Sequence, residues 1–140
     1  MWKVPIDGGD PVPLTNEYAR MPVVSPDNQF MACRYYVENG APKIAIIPVK
    51  GGLPVKLLPI PVKIFQRVQW ISNGRALTYI DIAKGGSNIK SYNLDDGSMK
   101  QLTSFQDEQI FAYAWSPDNK QLAYQRGGEN NNVITIGNQK

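Results

Sequence analysis

The chain has no histidine and one cysteine among its 140 residues. Without histidine it can form neither a Ser-His-Asp nor a Cys-His nucleophilic arrangement, and it has no imidazole to act as a general base or to hold zinc or iron. A single thiol can form neither a thiolate metal cage nor a disulfide within the chain, and Cys33 lies in a β-type run, where it is expected to pack as a small hydrophobe. Catalytic residues, a metal site and a cofactor are therefore not expected in this segment.

Long apolar runs and helical periodicity are also missing. No apolar stretch reaches 18 residues, which predicts no membrane insertion, and eleven prolines scattered along the chain would interrupt helices. Charge is modest at +3, although six basic residues and no acidic one lie between Lys43 and Arg75. Because these basic residues fall on different strands and turns, we interpret them as solvated residues at the edges of the sheets and expect no nucleic-acid partner.

The chain does contain a turn sequence that is repeated three times. The segments 24–32, 70–78 and 115–123 are copies of one pattern, and the best copy reads Trp115-Ser116-Pro117-Asp118-Asn119, with steps of 46 and 45 residues between copies. A second pattern, a hydrophobic run followed by an Asp/Gly turn and Leu-Thr, recurs in phase, and so does a polar glycine-bearing loop. A fixed period in this range indicates a repeat architecture.

Each unit contains four short runs rich in β-branched and aromatic residues, separated by turn residues. In the second unit these runs are 65–71, 76–82, 89–94 and 99–103, with a loop at 84–87. The turn residues on which this interpretation depends are Asp27, Asn73, Gly74, Asp118, Gly9, Gly52 and Gly97. Four antiparallel strands per unit of about 45 residues predict an all-β fold of four-stranded propeller blades.

The repeat divides the chain into about three blades' worth of an incomplete β-propeller. Residues 1–15 form the end of one blade, 18–58 and 63–103 form complete blades, and 109–136 form an incomplete one. Propellers close with about four to eight blades. We therefore expect either the rest of a longer parent chain or a homo-oligomer to complete the ring.

At these turns the sequence resembles the WD-like propeller repeat of the TolB family. The segment 115–124 matches that repeat well, 24–33 has Val in place of Trp, and 70–79 keeps Trp but lacks Pro-Asp. The opening segment 2–9 is also similar to blades in the sensor regions of bacterial Ser/Thr kinases and in prolyl-oligopeptidase-type hydrolases. The resemblance implies a bacterial protein that binds other proteins, in the periplasm or elsewhere outside the cytoplasm.

Two functions follow from these observations. The first is a non-catalytic interaction or sensing module that presents rim loops to a protein or peptide. The alternative is the propeller region of a larger enzyme, which gates a hydrolase or senses for a kinase. The sequence itself contains neither a Gly-x-Ser-x-Gly elbow nor kinase catalytic motifs.

The resemblance places the innermost strand of each blade before the Ser-Pro-Asp turn and the outermost strand at Leu-Thr. Loops from an outermost strand to the next innermost strand would then share a rim with the glycine-bearing loops, opposite the Pro-Asp and Gly-Gly turns. Because loops carried on rigid scaffolds bind partners, the candidate partner-binding residues are Glu17, Tyr18, Lys63, Arg67, Lys84, Asp107, Glu108, Arg126 and Glu129. Candidates for the channel wall are Arg20, Arg67, Gln69 and Tyr113, and the three tryptophans are expected to pack between blades.

Overall fold

The computed structural model describes residues 1–38, 40–61 and 68–128, and these residues are almost entirely β-structure. The twelve strands are β1 (Trp2–Lys3), β2 (Val12–Pro13), β3 (Ala19–Val24), β4 (Phe30–Tyr35), β5 (Lys43–Pro48), β6 (Lys56–Leu58), β7 (Gln69–Ile71), β8 (Ala76–Ala83), β9 (Gly86–Asn93), β10 (Met99–Gln101), β11 (Gln109–Trp115) and β12 (Leu122–Gly127). Within the described ranges the helical content is one short 3₁₀ turn, Ser72–Gly74.

The strands form two four-stranded antiparallel sheets and two two-stranded ones. Strands β3 to β6 make the first complete blade and β7 to β10 the second, each in simple chain order. The two-stranded sheets are β1–β2 before the first blade and β11–β12 after the second. The predicted all-β class with four-stranded antiparallel blades is confirmed. The predicted strand residues 65–67 and the end of the predicted last blade, residues 129–136, lie outside the described part of the chain.

All three copies of the repeated turn have the same strand register. Val24 pairs with Met31, Trp70 with Leu77 and Trp115 with Leu122, so each pair is separated by the same number of residues. Asparagine has positive φ in each turn, 57° at Asn28 and Asn119 and 52° at Asn73, although Asn73 lies one position earlier and Gly74, with φ 86°, occupies the equivalent place in the second copy. Asparagine is one of the few residues that tolerate this conformation. The second copy has lost Pro-Asp and still turns the chain at the same place.

Aspartate in the first and third copies organises the turn through local hydrogen bonds. Asp118 accepts the Ser116 hydroxyl at 2.6 Å and the Lys120 backbone N–H at 3.1 Å, and Asp27 accepts from Ser25 and Gln29 in the same way. The serine hydroxyl is the main cause that lowers the pKa of each carboxyl group, since it stabilises the charged form. Gly9, Gly52 and Gly97 lie in the other turns and also have positive φ.

Three apolar clusters join neighbouring sheets, because the central strands of each blade are buried on both faces. Even-numbered residues of β4 and β5, such as Ala32 and Ile46, pack toward the second blade, and odd-numbered ones, such as Cys33 and Ile47, pack toward β1–β2. The third cluster joins Ile80 and Ile89 of the second blade to Ile110 of β11. Alternating side chains along each strand thus serve two different interfaces.

Two of the three tryptophans pack between blades as expected. Trp70 is buried and donates its indole N–H to the Val23 carbonyl oxygen at 2.8 Å, and Trp115 donates to Thr78 Oγ1 at 3.0 Å. The prediction is wrong for Trp2, which is 66% exposed. Trp2 lies in a two-residue strand of a two-stranded sheet, and no other sheet among residues 1–38, 40–61 and 68–128 covers its side chain.

The predicted loop at 84–87 is shorter than expected. Strands β8 and β9 remain paired up to Ala83 and Gly86, so that only Lys84 and Gly85 form the turn. Gly85 has a φ of 96°, which suits a two-residue hairpin turn. Gly86 and Ser87 belong to strand β9, and this places their backbone against the next connection along the chain.

Candidate partner-binding rim

The antiparallel order of each blade separates the connections into two rims. The repeated turns lie together on one of them, the turn rim, where Gly74 is next to Pro26 and the Ser72 backbone N–H donates to Asn119 Oδ1 at 3.0 Å. The other, the loop rim, contains the β4–β5 and β8–β9 connections together with the segments that lead into β3 and β11. Most of the predicted partner-binding residues belong to the loop rim.

The side chain of Asn88 holds the segment that leads into β11, residues 103–108. Its Oδ1 accepts from the Phe105 backbone N–H at 2.7 Å and from the Thr103 hydroxyl at 2.9 Å, and its Nδ2 donates to the Phe105 carbonyl oxygen at 3.1 Å. Thr103 Oγ1 in turn accepts from the Ile89 backbone N–H. Because this network pairs polar groups that are partly buried, it fixes the conformation of the loop.

The start of β9 holds the other end of the same loop. Ser87 is fully buried, donates its backbone N–H to the Glu108 carbonyl oxygen at 3.1 Å and accepts from the Ile110 N–H through Oγ at 2.6 Å. A Cβ atom at Gly86 would lie 3.1 Å from the Glu108 carbonyl oxygen, so this close approach favours glycine. Glu108 itself has a φ of 60°, a strained conformation for a non-glycine residue.

Arg126 of β12 covers this loop. Its guanidinium group forms an ion pair with Glu108 at 2.7 Å and stacks 4.3 Å from the centre of the Phe105 ring. The Phe105 ring contacts Tyr124 with 5.2 Å between ring centres. The structure therefore brings Glu108 and Arg126 into direct contact, whereas Lys84 and Asp107, which flank them, are exposed.

Glu17 and Tyr18 belong to a separate part of the loop rim, at the start of the first blade. Tyr18 is 59% exposed, and its ring lies 5.0 Å from that of Tyr36, with the Arg20 guanidinium 5.7 Å from the Tyr18 ring centre. Arg34 lies 5.2 Å from the Tyr36 ring centre. The sequence predictions missed Arg34 and Tyr36. The predicted residues Lys63, Arg67 and Glu129 lie outside the described ranges.

Two of the predicted channel residues have structural roles between blades. The Gln69 side-chain amide hydrogen-bonds to the Tyr113 carbonyl oxygen and the Trp115 N–H, so it pairs with β11 as a neighbouring strand would. The Tyr113 hydroxyl donates to buried Thr78 at 3.1 Å. Burial raises the pKa of Tyr113, which keeps the hydroxyl protonated. Gln69 and Tyr113 therefore join the second blade to β11, while Arg20 is exposed at the start of β3.

The described residues offer little reactive chemistry. Cys33 is fully buried, and burial raises the pKa of its thiol to about 11, so it stays protonated and packs as expected. Within residues 1–38, 40–61 and 68–128, no three carboxylate or cysteine groups lie close enough together to hold a metal ion. The same ranges contain no helix that is long and apolar enough to span a membrane.

Comparison with known proteins supports the fold. Neither a family model nor a curated protein sequence matches this chain. Among solved structures, a TolB-like protein from Agrobacterium tumefaciens superposes on it with a TM-score of 0.69 and 23% sequence identity, over 88% of this chain and 45% of that one. The four-stranded antiparallel sheets are therefore similar in fold to the blades of a TolB propeller. The chain spans less than half the length of that protein, and at this identity the similarity concerns the fold alone.

Proposed function

We propose that this chain is a non-catalytic interaction module that binds a protein or peptide at its loop rim. The observation that carries the proposal is the pre-ordered 103–108 loop, which Asn88 and Ser87 hold in one conformation by hydrogen bonds. A loop that is already ordered loses little conformational entropy on binding, and this favours affinity. The charged side chains of Lys84 and Asp107 remain exposed beside it.

The composition of the chain supports a binding function over a catalytic one. It has no histidine, and its single thiol is buried and protonated at neutral pH. Rigid β-scaffolds commonly present functional residues on their loops. The proposal therefore assigns recognition to the loop rim and gives the turn rim a structural role.

Affinity capture with two matched charge-swapped variants tests the proposal. The loop-rim variant combines Lys84→Glu with Asp107→Lys, and the control combines Lys50→Glu with Asp7→Lys at exposed turns of the opposite rim. Neither pair changes the net charge. We expect a protein captured from the source organism by the wild-type chain and the control variant to be lost with the loop-rim variant. Equal capture by all three chains would contradict the proposal.

A further inference from the structure

Glu17 of the first blade holds the same position in the repeat as Glu108 of the third unit, which contains β11 and β12. Each glutamate lies eight residues before the serine of the repeated turn, and each leads into the first strand of its unit. In both units the second residue after the glutamate pairs with a residue of the next strand, Tyr35 of β4 or Arg126 of β12. The positions of Tyr35 and Arg126 are therefore equivalent.

The third unit supplies its own cation for this glutamate, whereas the first blade does not. Arg126 forms an ion pair with Glu108 at 2.7 Å, and the equivalent residue Tyr35 carries no charge. Glu17 is exposed, and within residues 1–38, 40–61 and 68–128 it forms no ion pair. The same carboxylate thus has an arginine partner in one unit and lacks one in the other.

The connection that leads to the glutamate is also shorter in the first blade. The glutamate follows three residues after Leu14 but six residues after Leu102, the equivalent leucine of the Leu-Thr pattern. The longer connection contains Phe105, whose ring stacks with Arg126, and the shorter one has no counterpart of this residue. The first blade has a cavity of about 280 Å³ beside the shorter connection. Its lining includes Leu14, Glu17, Tyr35 and Leu53.

The lining of this cavity suits an arginine side chain. Glu17 is the only charged residue among the described residues that line it, and a carboxylate binds a guanidinium group through two parallel N–H···O bonds. Leu14 and Leu53 offer apolar surface to the alkyl stem, and the Tyr35 ring offers a face on which a guanidinium group stacks. Sites for whole small molecules have volumes of about 300–1,000 Å³, so this cavity suits a single side chain.

We propose that this cavity is a docking site for an arginine side chain of the partner protein, which binds Glu17 as Arg126 binds Glu108. This assignment rests on the proposed function and specifies a residue type that the loop rim recognises. Glu17 and Leu53 are both exposed, so the cavity is accessible from solvent. Arginine is among the residue types that dominate the binding energy of protein interfaces, where such anchors fill pockets of the partner.

Nuclear magnetic resonance titrations of the ¹⁵N-labelled chain provide the first test. The probes are N-acetyl-argininamide and its neutral isostere N-acetyl-citrullinamide. At low salt we expect amide shifts at Glu17 and Leu53 and about fivefold tighter binding of the arginine probe, or about 1 kcal/mol. Salt should weaken this preference, because it screens the ion pair. Equal binding of the two probes, shifts confined to other residues, or no binding of the arginine probe would each overturn the proposal.

Matched glutamate variants provide the second test. Glu17→Gln removes the charge of the cavity, and Glu38→Gln removes an exposed charge from the β4–β5 connection on the same rim. We expect Glu17→Gln to abolish the preference for the arginine probe and Glu38→Gln to leave its affinity within twofold of wild type. Equal losses would show non-specific attraction and overturn the proposal. If the arginine probe does not bind but capture still depends on Lys84 and Asp107, this site is wrong and the interaction function stands.

Discussion

Replacing Trp70 with alanine tests a contact that joins the two complete blades. Trp70 is 9% exposed, packs in the apolar cluster that contains Ile46 and Leu77, and donates to the Val23 carbonyl oxygen at 2.8 Å. Replacing a buried tryptophan with alanine costs about 3–5 kcal/mol, because the change removes apolar contacts and leaves a cavity. Loss of the hydrogen bond favours the upper part of that range.

The expected loss of about 4 kcal/mol is large against a total stability of about 5–15 kcal/mol. With a urea dependence of about 2 kcal/mol per molar, it would lower the unfolding midpoint by about 2 M. Far-UV circular dichroism is the suitable signal, because each variant loses a fluorescent side chain. If Trp70→Ala does not fold, Trp70→Phe retains part of the ring volume and should show a smaller loss in the same direction.

Trp2→Ala is the matched control, since Trp2 is 66% exposed. Substitutions at exposed positions usually change stability by less than about 0.5 kcal/mol. If Trp70→Ala lowered the midpoint no more than Trp2→Ala does, the interface between the blades would not carry the stability assigned to it.

Two further predictions concern hydrogen bonds. Thr78→Val keeps the side-chain shape but removes the acceptor shared by the Tyr113 hydroxyl and the Trp115 indole N–H, so we expect a loss of about 2–4 kcal/mol in urea unfolding. Thr78→Ser, which keeps the hydroxyl, should lose clearly less, and equal losses would contradict this role. Hydrogen bonds lower the pKa of Asp118 from its ordinary value of 3.8, so its charge adds stability that is present above pH 3.8 and lost as pH falls through the lowered value. Asp118→Asn keeps an acceptor but removes the charge, so the thermal midpoint of the variant should fall less than that of wild type between pH 5 and pH 2, whereas identical pH profiles would refute the assignment.

The blades could be predicted from sequence because their signals are local. Turn residues and the alternation of β-branched and aromatic residues act over a few positions, and the repeat adds a phase that all units share. Local chemistry explains why Asn73 keeps the register in a copy that has lost Pro-Asp. The same reasoning placed Lys84 correctly in a turn, but it predicted a turn that was too long. Glycine is common in loops and also at positions of close backbone approach, so the strand residue Gly86 was assigned to the loop.

The conformation of the loop rim depends on contacts between residues that are distant in the sequence, and these contacts could not be predicted. Asn88 reaches Phe105, which is 17 residues away, and nothing in either residue type predicts that pairing. No sequence pattern indicated that the side chains of Gln69 and Tyr113 would form hydrogen bonds between the second blade and β11. Arg34 could have been found by aligning the repeats on their turns, since the comparison with Ile80 requires no structure.

A departure from the repeat indicates function only when the fold gains nothing from it. Val24 occupies the position of Trp70 and Trp115 and is 51% exposed, and a small side chain costs less to expose than an indole would. Arg34 is a different case, because a buried guanidinium group needs polar partners, whereas the isoleucine at the equivalent position 80 needs none. The first departure is explained by stability alone. The second departure buries a charged group, and the contacts that Arg34 makes within the fold offset part of that cost.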